Sequence, residues 1–205
     1  MVRTKMDIAR IISDITPFLW LGIATAVILR KRQATIIFCI AWIIIGFIPA
    51  GELSVSEILR GVIGDLSLTS LILAIFIVIK YTSCPKKRLA QHHPSFNITL
   101  LIITVSSILL YSNYATPWSS FDLYATGYST YLSVLFILAI ALIACIMQNY
   151  LLAFTLLAIS YCHYFNLLGF GNLWNTALDI WLGIGSFTYS LYWCFSGRKT
   201  RSLTQ

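Results

Sequence analysis

The stretch Tyr128-Ser-Thr-Tyr-Leu-Ser-Val-Leu-Phe-Ile-Leu-Ala-Ile-Ala-Leu-Ile-Ala-Cys-Ile-Met147 contains no charged residue, no glycine and no proline. At about 1.5 Å of rise per residue, a helix of this length matches the ~30 Å hydrocarbon core of a bilayer. Only Gln148 and Asn149 separate it from a second apolar run, Tyr150–Phe165, so the two are expected to form a tight antiparallel hairpin. Working outward, five more runs approach the same length: Ile11–Leu29, Ala34–Ala50, Val62–Tyr81, Phe96–Tyr111 and Ala177–Phe195. In lipid every backbone polar group must be paired within its own segment, which selects helices. The sequence therefore predicts an all-α fold, a polytopic transmembrane helical bundle of about seven spans, with residues 1–205 forming a single integral-membrane helical domain.

Composition agrees. Of 205 residues, 59% are hydrophobic and 10% charged, against about a quarter charged in soluble domains. Mean hydropathy is +0.84. So few charged side chains cannot coat a soluble globule of this size, and disorder, collagen and coiled coil are excluded by the same balance. The five cysteines, Cys39, Cys84, Cys145, Cys162 and Cys194, are odd in number and show no C-x-x-C spacing, so neither a disulfide framework nor a metal site is expected. No cofactor is expected either.

The net charge of +7 suggests topology, not nucleic acid, because the basic residues fall in short clusters between apolar runs. Arg30-Lys31-Arg32, Lys80 with Lys86-Lys87-Arg88, and Arg198-Lys199 with Arg201 follow the first, third and seventh runs. They share one face of a seven-span bundle, which the positive-inside rule makes cytoplasmic together with the carboxyl terminus. All seven acidic residues map to the opposite face or to the outer ends of spans. Arg3, Lys5 and Arg10 sit on that outer face against the rule. An alternative of six spans, with residues 1 to 29 as an amphipathic or re-entrant helix, returns them to the cytoplasm. Tyr111, Tyr114, Trp118, Phe121, Tyr124, Tyr128, Tyr161, Tyr164, Phe165, Phe170 and Trp174 cluster at the outer ends, as an interfacial aromatic belt requires.

Ionisable groups inside a span are costly and mark candidate sites. In the third span Glu57, Gly61, Asp65 and Thr69 recur every four residues; in the seventh, Asn175, Asp179, Gly183, Ser186 and Ser190 do much the same. They read either as small-residue packing seams or as the wall of an outward polar pocket formed by Glu52, Glu57, Asp65 and Asn175. In the pocket reading His163 is the candidate catalytic base, since its ordinary pKa near 6.5 allows proton exchange at neutral pH, and Asp179 orients its ring. Arg60 is expected to pair with Glu57 on the same helix turn. His92-His93 reads as a solvated loop pair, and Asn97-Ile98-Thr99, although a glycosylation sequon, falls on the cytoplasmic side.

Glu57 to Ser70 and Asn172 to Trp181, about 24 residues in all, resemble pieces of small bacterial inner-membrane proteins. The Arg60-Gly-Val-Ile-Gly-Asp-Leu-Ser67 portion is similar to the membrane part of sulfatase-fold phosphoglycerol and phosphoethanolamine transferases. Those enzymes carry metal and nucleophile in a large soluble domain, and no stretch of this chain reads as one. The resemblance implies a membrane-only relative acting near lipids or envelope glycans, and it transfers no catalytic residue.

Three function classes follow. The first is a multi-pass inner-membrane protein with a non-catalytic role in the cell envelope, its partners membrane lipids or another membrane protein. The second is an intramembrane enzyme acting on a lipid headgroup at the outer face. The third is a small transporter, for which inverted repeats and broken helices would be the signature.

Overall fold

The computed structural model describes the backbone of residues 2–29, 31–83, 94–116 and 122–201. His92-His93, Lys86-Lys87-Arg88, Trp118 and Phe121 lie outside the described residues. Within them the chain is mainly helical: α1 (Val2–Ile28), α2 (Thr35–Gly46), α3 (Val55–Ile63), α4 (Leu68–Ser83), α5 (Pro94–Ala115), α6 (Thr130–Ile146), α7 (Tyr150–Tyr164), α8 (Leu173–Ala177) and α9 (Ile180–Arg201). A two-residue β-hairpin, β1 (Pro49–Ala50) against β2 (Leu53–Ser54), turns the chain from α2 into α3. Gly51 takes φ +80° at its tip, where a side chain would be strained.

The seven expected runs become α1, α2, α4, α5, α6, α7 and α9, and side-chain contacts fix their directions. α1 and α2 are antiparallel: Gly46 abuts the Phe18 ring, Gly22 abuts Cys39, and Trp42 Nε1 donates to Thr25 Oγ1 at 2.9 Å. α5 and α9 are antiparallel, with Tyr189 donating to Asn97 Oδ1 at 3.1 Å near one end and Gly183 packed on Ser107 nearer the other. Asn149, between α6 and α7, bonds the Ser95 carbonyl and Thr99 Oγ1 at the start of α5. The elements therefore alternate between two ends. One gathers the α3 helix, the starts of α4, α6 and α9 and the loops 122–129 and 165–179; the other gathers Lys31, Lys80, Asn149 and the last turn of α9.

Length is less uniform than the sequence suggests. Among the described residues, Arg10–Ile28 in α1 and Ser95–Asn113 in α5 are long and apolar enough to cross a membrane. α3 and α4 together would make a third such span, but they are bent by 118°. α2, α6 and α7 are apolar and shorter. The expected seven full-length spans are thus not given by helix length, although α7 starts at Tyr150 as expected, capped by Asn149, whose Oδ1 accepts from Leu152 N.

Burial is inverted relative to a soluble protein. Thr16, Thr35, Thr99, Thr176, Ser56, Ser67 and Asn172 are among the most completely buried side chains, whereas Ile37, Ile44, Leu132, Leu135, Leu142 and Phe154 are exposed. Several buried threonines on helices satisfy their hydroxyls locally, Thr16 on the Ile12 carbonyl at 2.6 Å and Thr155 on that of Leu151 at 2.8 Å.

Candidate functional site

The break between α3 and α4 organises the site. Gly64 ends α3 with φ +85°, and Ser67 caps α4 by accepting from Ser70 N. The carboxylate of Asp179 lies against this new helix start: Oδ2 accepts from Ser67 N at 2.9 Å, Ser67 Oγ at 2.7 Å and Ser70 Oγ at 2.6 Å. Its other oxygen accepts from Leu182 N at 2.7 Å, capping α9. One buried anion thus faces two helix N-termini, where amide donors and the aligned peptide dipoles both favour negative charge.

The expected face of Glu57, Gly61, Asp65 and Thr69 is consequently interrupted, because no single helix carries all four. Asp65 falls in the break and is exposed, while Thr69 is buried. Glu52 is exposed at the hairpin tip. Glu57 forms a capping box with Ser54, accepting from its amide at 2.8 Å, and pairs with Arg10, not with Arg60 as expected. On a nine-residue helix too short to cross a bilayer, the Ser54 amide, then its hydroxyl, and Arg10 hold the Glu57 carboxyl below its ordinary range. Arg60 Nη1 lies 3.5 Å from Asp14 Oδ1. Asn175 is exposed and accepts from the Tyr124 hydroxyl at 2.9 Å. Glu57 and Asn175 thus have separate partners, Glu52 and Asp65 are exposed at different turns, and none of the four lines the groove described below.

His163 is buried, and neither ring nitrogen has a hydrogen-bond partner among the described residues. The four donors on Asp179 come from Ser67, Ser70 and Leu182, so this carboxylate does not orient the imidazole. Among the described residues no group of three or more His, Cys, Asp or Glu is placed to hold a metal ion. Around these residues the loops 122–129 and 165–179 are locked together. Asn172 donates to the Tyr124 carbonyl and Trp174 Nε1 to the Leu123 carbonyl, both at 2.9 Å, and Gly127 packs onto Asn172.

What the break does create is a groove of about 760 Å³ bounded by α1, α3, α4, α5 and α9, within the 300–1,000 Å³ typical of ligand sites. Its floor is Leu66 of the break followed by an α4 stripe at helical spacing, Ser70, Leu73, Ile77 and Lys80. Trp20 and Leu21 of α1 form one wall and Trp181 and Gly185 of α9 the other. Leu21, Trp181 and Gly185 are exposed, so the groove opens sideways onto the apolar surface of the bundle. At one end Trp181 Nε1 donates to the last helical carbonyl of α3, Ile63, at 2.9 Å; at the other stand Lys80, Asn97 and Tyr189.

In the sequence Lys80 reads as a topology residue and Asn97 as part of a sequon, and nothing marks Tyr189. The signal present was the polar face Asn97, Thr104, Ser107 and Tyr111 on α5, which meets Gly183 and Ser190 of α9. The partner of the α9 stripe is therefore mostly α5, and α4 only at Asp179.

No protein-family model matches this chain, and no match was found among curated proteins or among solved structures.

Proposed function

We propose that this chain is a seven-pass protein of the cell inner membrane that acts without catalysis, by holding an acyl chain of a membrane lipid in the groove between α1, α4 and α9. The observation that carries the reading is the groove itself: an apolar slot that opens among exposed isoleucines, leucines and aromatics. The inverted burial supports a lipid surround, since hydroxyls and amides pack inward and large aliphatics face out. Shorter helices such as α2 suit a locally thinned bilayer. The alternation of directions brings Lys31, Lys80 and the Arg198–Arg201 turn to one end, which is then cytoplasmic together with the carboxyl terminus. Arg10 and Arg60, at the opposite end, are paired with Glu57 and Asp14.

Catalysis has less support. Asp179 is committed to two helix caps, and His163 lacks the carboxylate that would orient it.

The test uses a phosphatidylcholine with a photoactivatable group on its acyl chain, reconstituted with the protein. Leu73 is 1% exposed, so label reaches it only through an occupied groove, whereas Ile75 and Ile79 of the same helix are exposed. Leu73 should carry label, and Gly185→Leu should remove most of it, because a side chain at Gly185 meets nothing within 4 Å and projects into the slot. Label confined to outward residues such as Ile37, Ile79 and Leu142, with Leu73 unlabelled, would sink the proposal.

A further inference from the structure

The break between α3 and α4 also leaves its mark on another face of α4. Threonines inside these helices return their hydroxyls to the carbonyl four residues back: Thr99 to Ser95, Thr104 to Leu100, Thr155 to Leu151 and Thr188 to Ile184. Thr69 cannot do so. It is the second residue of α4, and the residue four before it, Asp65, lies in the break outside any helix. Thr69 is 2% exposed, and its Oγ1 has no hydrogen-bond partner among the described residues. Buried hydroxyls are nearly always paired, so this one is set up for an acceptor that the fold does not itself supply.

Thr69 lines a second slot, of about 130 Å³, enclosed by α4, α5, α6, α7 and the segment that carries α8. The slot runs about 10 Å along the bundle, from Thr99 to Ser106 on α5 and from Leu152 to Ile159 on α7. Thr69 belongs to the end where α4 starts, together with Trp174 and Ala177. Two of the lining residues, Ile102 of α5 and Phe136 of α6, are exposed, so the slot opens sideways between these helices. Ile102 and Ser106 each lie about 3 Å from the middle of the apolar stretch Ser95–Asn113. Whatever enters therefore comes from the depth of the hydrocarbon and not from an aqueous face.

Resting on the membrane reading above but not on the acyl-chain groove, we propose that this slot binds a small neutral lipid-soluble molecule, about one ring in size, whose hydroxyl or carbonyl oxygen accepts from Thr69 Oγ1. Size sets the first condition, since an apolar cavity of about 150 Å³ holds a benzene molecule. Depth sets the second: none of the described lining residues is charged, and an ion at the middle of a bilayer is costly. The orphan hydroxyl sets the third. Water is the weaker occupant, because the walls are mainly isoleucine, leucine, phenylalanine and tryptophan carbon, and apolar cavities stay dry.

The experiment uses radiolabelled benzyl alcohol and ethylbenzene, alike in size but with a hydroxyl only on the first, equilibrated with the full chain in detergent against protein-free micelles. Both should bind saturably, one molecule per chain. Thr69→Val should weaken benzyl alcohol about fivefold, the net value of one hydrogen bond, and leave ethylbenzene unchanged, which also shows that the variant is folded. Thr69→Ser keeps a hydroxyl and should keep the wild-type affinity. Ser106→Leu, at the half-buried rim of the slot, should abolish binding of both probes, and Gly185→Leu, which fills the other groove, should affect neither. No saturable binding of either probe to the wild-type protein overturns the site. Binding lost in Gly185→Leu and kept in Ser106→Leu overturns it too, and places the probes in the acyl-chain groove. Equal effects of Thr69→Val on the two probes overturn the role given to Thr69.

Discussion

Ser70 donates its hydroxyl to Asp179 Oδ2 at 2.6 Å, joining the first turn of α4 to the residue that caps α9 across 109 positions of sequence. Two helices begin at one carboxylate, and the groove exists because α4 starts there instead of continuing α3. Replacing Asp179 by Ala leaves the donors of Ser67, Ser70 and Leu182 without their acceptor, at about 1–3 kcal/mol for each buried group that stays unsatisfied. Asp179→Ala should lose at least about 3 kcal/mol and Ser70→Ala about 1 kcal/mol, read from denaturation in detergent. Equal and small losses in the two variants would show that the carboxylate does not hold the junction.

Glycines separate close helix contacts from open ones. A Cβ at Gly22 would stand 2.6 Å from Cys39 Cα, which is backbone and cannot yield, whereas Gly61 and Gly185 have nothing within 4 Å. Gly22→Ala should destabilise by about 1–3 kcal/mol through overpacking of α1 on α2. Gly61→Ala and Gly185→Ala should be neutral or stabilising by up to about 1 kcal/mol, since alanine suits a helix better. Thermal midpoints of the three variants in one detergent decide it, and a stable Gly22→Ala protein would mean that α1 and α2 are farther apart.

Acidification should act on α3 through Glu57. Its carboxyl is held below the ordinary value of 4.5 by the Ser54 amide and hydroxyl, with Arg10 beside it. A depressed folded pKa contributes stability that is present in full above the unfolded value and is lost as pH falls through the folded one. The thermal midpoint should therefore fall below about pH 4.5 in the wild-type protein, and Glu57→Gln should show a smaller fall over the same window. An identical acid transition in both proteins would assign it to another carboxylate.

Much of the helical layout was legible because the runs are long and apolar: each of the seven contains one main helix, and the Gln148-Asn149 turn is where α6 hands over to α7. The break in the third run was not. Gly64 and Ser67 are the glycine that ends one helix and the serine that caps the next, yet hydropathy reads straight through them to Tyr81. That continuity is why Glu57, Asp65 and Thr69 were placed on one face when the chain turns by 118° between them. The pairing of Arg60 with Asp14 instead of Glu57 has the same origin, since it depends on how α3 lies across α1. Asn97 reads as part of a sequon because its bond from the Tyr189 hydroxyl, 92 positions away, exists only once α5 and α9 are packed together.

The central claim is that the two ends of the bundle lie on opposite sides of a membrane, and sidedness tests it most directly. In a protein with its five cysteines replaced by serine or alanine, single cysteines at Asp122, Asn175, Gln33, Ser83 and Gln148 report the two ends. A membrane-impermeant thiol reagent added to intact cells should label Asp122→Cys and Asn175→Cys, and should label Gln33→Cys, Ser83→Cys and Gln148→Cys only after permeabilisation. Labelling of Asn175→Cys and Gln148→Cys from the same side would contradict the seven-pass account, because α7 would then not cross between them.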